Sequence, residues 1–243
     1  SVTSIGSGAF ENCSLKNIVI PEGVTKIAER TFMDCAELES VTLPEGLLSI
    51  DGYSGGMVYG AFARCTKLKS ITIPDSVTHI GHGAFLSCSS LTDVNIPNKV
   101  TYIWDGAFYE CANLKSITIP EGVDYIGQYV FFGCTGLTSV YLPKSVTRIE
   151  SYAFQNCDGI KDVYYGGDET AWKQIKLGNY NYNSLNNGTY IHYGVEHICT
   201  LYPIAAVSPT CTEAGNNAYY CCSDCSRAYK DEFAREQTTV EQE

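Results

Sequence analysis

The sequence predicts a repeat solenoid of mainly β structure, in which short coils stack and share one core. Three observations carry this. An Ile-Pro or Leu-Pro pair recurs at 20–21, 43–44, 73–74, 96–97, 119–120 and 142–143, in steps of 23, 30, 23, 23 and 23 residues. A Phe-x-x-Cys motif keeps the same phase, as Phe10/Cys13, Phe32/Cys35, Phe62/Cys65, Phe85/Cys88, Phe108/Cys111, Phe131/Cys134 and Phe154/Cys157. One unit reads Leu114-x-x-Ile117-x-Ile119-Pro120-x-x-Val123-x-x-Ile126-x-x-x-Val130-Phe131-x-x-Cys134. A unit of that length cannot bury its apolar face alone, whereas stacked copies complete one another's core.

Each part of the unit has a local reason. Apolar residues at i and i+2 ahead of the proline give a short strand with one buried face, and the proline ends its pairing. Val123-x-x-Ile126 gives a second short extended piece, and a Gly-x-x-Ala-Phe stretch such as Gly81-His82-Gly83-Ala84-Phe85 turns the chain into the next coil. The 30-residue step holds an insert at about 51–59, a glycine-rich loop carrying Tyr53 and Tyr59. Insertions on one face of a solenoid are frequent binding elements.

Composition narrows the function. The chain has 243 residues, 44% hydrophobic and 18% charged, with sixteen basic against 27 acidic residues, a net charge of −11 and a pI near 4.8. That charge repels phosphate backbones and anionic membranes, so nucleic acid is not an expected partner. No apolar run reaches the length of a spanning helix and no basic-plus-apolar leader opens the chain, so direct membrane insertion is not expected. The chain opens inside a repeat, at Ser1-Val2-Thr3-Ser4-Ile5, and is expected to be a fragment of a longer protein.

The pattern L-x-x-I-x-I-P-x-x-V-T-x-I-G-x-x-A-F-x-x-C resembles the BspA-type leucine-rich repeats of bacterial cell-surface proteins. Seven copies cover residues 1–165. The resemblance implies a right-handed leucine-rich-repeat coil with a parallel β-sheet on its concave face. It also implies a secreted or surface-attached protein used in adhesion. Residues 166–195 are read as a terminal cap: Asp168 or Thr170 opens a helical turn with Trp172 and Ile175 three apart, and Thr189–Tyr193 gives a last strand. The run Tyr165-x-Gly167-Asp168-x-x-x-Trp172 with Ile191-His192-Tyr193 is similar to the cap that ends many such arrays, with Trp172 as its plug.

Side chains in a parallel stack point the same way, which suits a ladder of buried free thiols better than disulfides for the seven repeat cysteines. The phenylalanines are expected to form a core spine. The outward positions of the first strand form the rows Asn17, Ser40, Ser70, Asp93, Ser116, Ser139, Asp162 and Val19, Thr42, Thr72, Asn95, Thr118, Tyr141, Tyr164. Neither row assembles an acid, a base and a nucleophile. With no nucleophile elbow, phosphate loop or zinc-protease motif elsewhere, an enzyme is not expected. Tyr141 and Tyr164 are the candidate anchors of a recognition face. The second strand's row is Lys26, Ser49, His79, Tyr102, Tyr125 and Arg148. There Tyr102 and Tyr125 are expected to stack, with Trp104, Tyr129 and Tyr152 a turn further on. Such a cluster suits a sugar or a peptide; aromatic rungs also stabilise solenoids by themselves. His79, His82 and Asp105 lie near one another but lack a fourth ligand, so no metal is expected there.

From 196 to 243 the composition shifts: five cysteines, eight acidic and three basic residues. This is read as a separate small Cys-rich β module whose polar tail, 234–243, has no closing strand. Its skeleton His197…Thr210-Cys211-Thr212-x-x-Gly215…Tyr220-Cys221-Cys222-x-x-Cys225 looks like the small His/Cys modules of Gram-positive surface proteins. Three thiolates and an imidazole make a set typical of structural zinc, with His197, Cys211, Cys222 and Cys225 as ligands. Disulfide bonding of Cys211 to Cys222 or Cys225 is an open alternative, as is a Cys199–Cys221 bridge, Cys221 as the ligand in place of Cys222, or free thiols.

The expected function is a non-catalytic extracellular binding or adhesion module, monomeric, recognising a host or matrix protein or a glycan. The rival expectation is a spacer that displays other domains from the cell wall and binds nothing. An accessory role beside a carbohydrate-processing enzyme is the weakest of the three.

Overall fold

The computed structural model describes residues 2–52, 59–181, 184–185 and 188–195, and in addition the backbone of four short strands between 201 and 238. The chain forms two compact units, Ser1–Glu196 and His197–Glu243.

In the first unit the strands come in chain order, two to a coil for most of the array. They are β1 (Asn17–Val19), β2 (Lys26–Ile27), β3 (Ser40–Thr42), β4 (Ser49–Ile50), β5 (Ser70–Ile71), β6 (His79–Ile80), β7 (Asp93–Val94), β8 (Ser116–Thr118), β9 (Tyr125–Ile126), β10 (Ser139–Leu142), β11 (Arg148–Ile149) and β12 (Asp162–Tyr165). The cap adds helix α1 (Glu169–Gln174) and strands β13 (Lys176–Leu177) and β14 (Tyr190–Tyr193).

All pairing among the described residues of this unit is parallel, and its register follows the repeat. Asn17 sits opposite Ser40, Ser70 opposite Asp93, and Ser116, Ser139, Asp162 and Tyr190 line up across β8, β10, β12 and β14. The second row runs Lys26, Ser49, His79 in β2, β4 and β6 and Tyr125, Arg148, Lys176 in β9, β11 and β13, joined by bridges at Ile80, Ile103 and Ile126. The first row is interrupted in two places. Between β3 and β5 the chain carries the insert. The second break is between β7 and β8; just past the β5–β7 pairing, Asn95 turns its side-chain amide onto Ile73, accepting from its N–H at 3.0 Å and donating to its carbonyl at 2.9 Å, so a carboxamide extends the ladder between those two coils. The insert is bracketed by Gly52 and Gly60, which press on the backbone of His82 and Gly83 so closely that a Cβ on either would overlap it.

One continuous apolar core runs from Ile20 to Leu185. Its spine is the series Phe10, Phe32, Phe62, Phe85, Phe108, Phe131 and Phe154, stacked with centroids 5.1–5.6 Å apart. The backbone at the spine bonds from coil to coil, as in Phe62 N–H to Ala84 O, Phe85 to Ala107 and Phe131 to Ala153, each at 2.8 Å. Beside it stand the repeat cysteines, all free, and all but Cys13 buried. Each thiol from Cys35 to Cys157 donates to the phenylalanine carbonyl of the preceding coil, for example Cys88 to Phe62 and Cys111 to Phe85, both at 3.2 Å. Burial pushes Cys88 and Cys134 up to about 12, and Cys65, Cys111 and Cys157 are also far above a free thiol. These groups are packing hydrophobes and weak donors, without nucleophilic character.

The last coil is closed by side chains. Asp168 caps α1 by accepting from the Ala171 N–H at 2.8 Å, and Trp172 is buried edge-on to Tyr165 at 5.3 Å. Fully buried Asn181 accepts from the Phe154 N–H at 2.9 Å through its carboxamide oxygen, and donates to the carbonyls of Glu150 and Gly178. It thus supplies the acceptor that a further coil would have offered, since buried backbone groups need partners.

The second unit contains an antiparallel meander of β15 (Leu201–Ile204), β16 (Tyr219–Cys222), β17 (Ala228–Tyr229) and β18 (Gln237–Thr238), in that order. Pro203 falls on the edge strand β15, where a missing N–H is tolerated. The tail does close with a strand, against the sequence expectation: Tyr229 pairs with Gln237 and Ala228 with Thr238. An edge backbone pairs whether or not its side chains are apolar, so a polar composition was a poor guide there.

Candidate binding surface

The ring side chains outside the core are ordered by the register of the coils. Tyr102 and Tyr125 stack at 4.8 Å with 12° between planes, as their strand position implies. The Arg148 guanidinium lies 5.6 Å from the Tyr125 centroid, so Tyr125 stands between it and Tyr102. Arg148 also pairs with Glu150, which is itself buried. Trp104 meets Tyr102 at 4.6 Å and reaches back a coil to His82 at 4.8 Å and His79 at 5.6 Å. Burial raises both phenols and lowers the His79 imidazole, which favours the neutral forms of all three. His82 faces Asp105 at 3.9 Å. No group of three His, Cys, Asp or Glu side chains spaced for a metal occurs among the described residues.

On the first sheet Tyr141, Tyr164 and His192 are in register and stack at 4.5 Å each. His192 Nε2 is 2.8 Å from the Asp162 carboxylate. Tyr164 is left only 7% exposed between its neighbours. The same strand β14 presents Tyr190 at 73% and Tyr193 at 39% exposure.

Trp104 and Tyr129 belong to different groups, although the sequence placed them together with Tyr152. Tyr129 stacks on Tyr152 at 4.7 Å, and Tyr152 on Tyr180 at 4.5 Å. Beside them Tyr109 stacks on Phe132 at 4.9 Å, and Tyr129 closes on Phe132 at 5.9 Å, tilted by 59°. Tyr109, Phe132 and Tyr180 were not expected. Phe132 and Tyr109 continue the row of Met33, Ala63 and Leu86, one residue after each spine phenylalanine. A period check at that position would have found them. Tyr180 lies in the cap loop, off the period, and is 59% exposed.

Tyr129, Tyr152 and Tyr180 have φ of 59°, 66° and 67°, at the place where earlier coils have Gly83 and Gly106 in the same left-handed region. That conformation costs a non-glycine residue roughly 1–2 kcal/mol. A stacked ring pair contributes about 0.5–1.5 kcal/mol beyond its burial. The two are of one size, so the fold itself gains little by tyrosine there.

Of the insert, Tyr59 lies under the Arg30 guanidinium at 5.7 Å, whereas Tyr53 is outside the described residues. His197, Cys211 and Cys225 are outside them as well, and of Cys222 only the backbone in β16 is described.

With the coils, the spine and the rows in place, residues 1–54 and 57–182 match the family model of the BspA type leucine rich repeat region, in six copies. The chain belongs to the BspA-type leucine-rich repeat family. A leucine-rich repeat protein from Bacteroides ovatus is 29% identical with a TM-score of 0.57, the match covering 76% of this chain and 47% of that one. A leucine rich repeat protein from T. pallidum is 27% identical with a TM-score of 0.58, covering 67% and 73%. A leucine rich cell surface protein from Faecalibacterium prausnitzii is 28% identical with a TM-score of 0.47, covering 72% and 66%. The chain thus matches about half of the first protein's length and about two thirds of the last. No curated protein matches it.

Proposed function

We propose that this solenoid is a non-catalytic extracellular binding or adhesion module of a bacterial surface protein, recognising a host or matrix protein or a glycan through its lateral surface. Placement outside the cell is the expectation of its repeat family. The observation that carries the binding reading is the gathering of ring side chains outside the core in the carboxy-terminal half, from Tyr102 to His192, on an array whose hydrophobic core is already complete. Aromatic side chains dominate interface hot spots because they give large contact area at low cost in rotamer freedom.

One observation favours a second reading, a spacer without a ligand. The rings lie over one another along the coil axis, so part of each face is already used in tying coils together. Binding of the purified chain to a panel of matrix proteins, mucins and glycans at physiological salt separates the two, with an unrelated acidic solenoid as control. Selective, saturable binding that drops at least tenfold in a Tyr102→Ala, Trp104→Ala, Tyr125→Ala variant supports a binding face at that row. Silence across the panel supports the spacer.

In the second unit the proposal keeps a structural zinc on His197, Cys211, Cys222 and Cys225. Metal analysis of the full chain should then give one zinc per molecule, released by chelator with the appearance of reactive thiols. A metal-free protein whose module cysteines resist alkylation until reduced would show disulfides instead.

A further inference from the structure

The two ends of the solenoid differ in how their turns handle charge. In the early coils, charges on the turns are paired across coils, Glu29 excepted: Arg30 with Glu11 at 2.7 Å, Arg64 with Asp34 at 2.5 Å, and Lys67 with Glu37 at 2.7 Å. The later turns, 104–112, 127–135 and 150–158, contain Asp105, Glu110, Glu150 and Asp158 and no lysine or arginine. Glu150 is taken by Arg148. The other three carboxylates have no lysine or arginine partner among the described residues; Asp105 faces His82 and accepts from the Gln128 N–H, and Glu110 accepts from the Ser87 hydroxyl.

These same turns carry Tyr109, Phe132, Tyr129 and Tyr152, and Tyr180 of the cap loop completes the group. Glu110 is directly beside it, its N–H donating to the Phe132 carbonyl at 2.7 Å, and Asp105 holds the residue that precedes Tyr129. A partly buried phenyl ring with no polar tip, tyrosines in a backbone conformation that glycine serves in the two preceding coils, and carboxylates without lysine or arginine partners all meet on one flank.

We propose that this flank docks a basic segment of a protein partner, whose lysine and arginine side chains lie against the rings and are balanced by Glu110 and Asp105. Arginine and lysine are attracted to aromatic faces and to phenol and carboxylate oxygens together, and the unneutralised carboxylates steer such a partner during encounter. The inference rests on the binding reading above and assigns it a face and a partner chemistry.

The test uses the full chain and a labelled, unstructured peptide rich in lysine and arginine, with an acidic peptide of equal length as control, at physiological salt. The variants borrow residues that other coils already hold at the same positions, which keeps the fold: Tyr129→Gly, Tyr152→Gly, Phe132→Gln and Glu110→Ser, each checked by its melting curve. Saturable binding of the basic peptide that weakens at least tenfold in the combined ring variant, and severalfold in Glu110→Ser, supports the proposal. Equal binding by folded variants overturns it, because the attraction is then the diffuse field of an acidic chain. If the ring variant instead changes the oligomeric state, the occupant is a second copy and the basic-segment proposal falls. If a matrix protein or glycan of the panel binds with no sensitivity to these substitutions, the flank is refuted while the binding reading stands. Failure of both the panel and the peptide removes both.

Discussion

Coils one to three and coils five to the cap solve the same problem with different chemistry. Each coil must be tied to the next outside the shared core. Near the amino terminus the ties are ion pairs, Arg30 to Glu11, Arg64 to Asp34 and Lys67 to Glu37, with Lys26 to Asp51 on the second strand row. Toward the carboxy terminus the ties are ring stacks, Tyr102 on Tyr125, Tyr129 on Tyr152 on Tyr180, and Tyr141 on Tyr164 on His192. The spine and the thiol ladder run through both halves unchanged. Surface ion pairs are satisfied by one another and are screened by salt, so the paired charges of the early turns are answered locally. The later turns instead carry rings beside carboxylates that have no lysine or arginine partner among the described residues, and it is this local arrangement that motivates the proposed recognition flank.

The largest expected effect is one that the two halves share. Phe32→Ala and Phe131→Ala each remove a fully buried ring of the spine and should destabilise by about 3–5 kcal/mol, read as the fall in melting temperature. A loss confined to one variant would mean that the halves do not share one core.

Tyr152→Ala removes the middle ring of a three-ring stack. It should cost about 1–3 kcal/mol, two ring contacts' worth, and that loss should be the same in low salt and in molar salt. A salt-dependent loss would show that the carboxy-terminal ties are not what the ring geometry says.

Arg64→Ala is expected to be the mildest, about 0.2–1 kcal/mol, measurable at low ionic strength and gone in molar salt. The pH dependence has a definite sign. The Arg64 guanidinium hydrogen-bonded to Asp34 holds that carboxyl below its ordinary value. A folded pKa lowered beneath the unfolded one, about 3.9 for aspartate, gives stability that is complete above that pH and is lost as the pH falls through the folded value. Acid melting curves of wild type and Arg64→Ala should therefore converge at low pH. Curves that stay parallel would show that the pair has no part in holding these coils.

Much of this was legible because a repeat turns sequence distance into spatial adjacency. Residues 23 apart lie on neighbouring coils, so the Tyr102–Tyr125 and Tyr141–Tyr164 stacks and the Phe and Cys ladders were readable from phase alone. Trp104 and Tyr129 were harder. They are 25 apart, and the chain turns between the second strand and the spine, so two extra residues carry Tyr129 to another group of rings. Tyr180 and Asn181 had no phase to betray them, since the cap loop departs from the period. Asn95 reads as an ordinary strand residue until its amide is seen bonded to Ile73.

The sequence by itself determined the solenoid, its register, its free-thiol ladder and its membership in a family of stacked leucine-rich coils, because a fixed period constrains every coil by the ones beside it. Only the tertiary structure decided which rings share a flank, that carboxylates without lysine or arginine partners among the described residues stand beside them, and that a buried asparagine ends the array. Those are contacts across turns and at an end, where side-chain direction and the loss of the next coil govern the outcome and periodicity is silent.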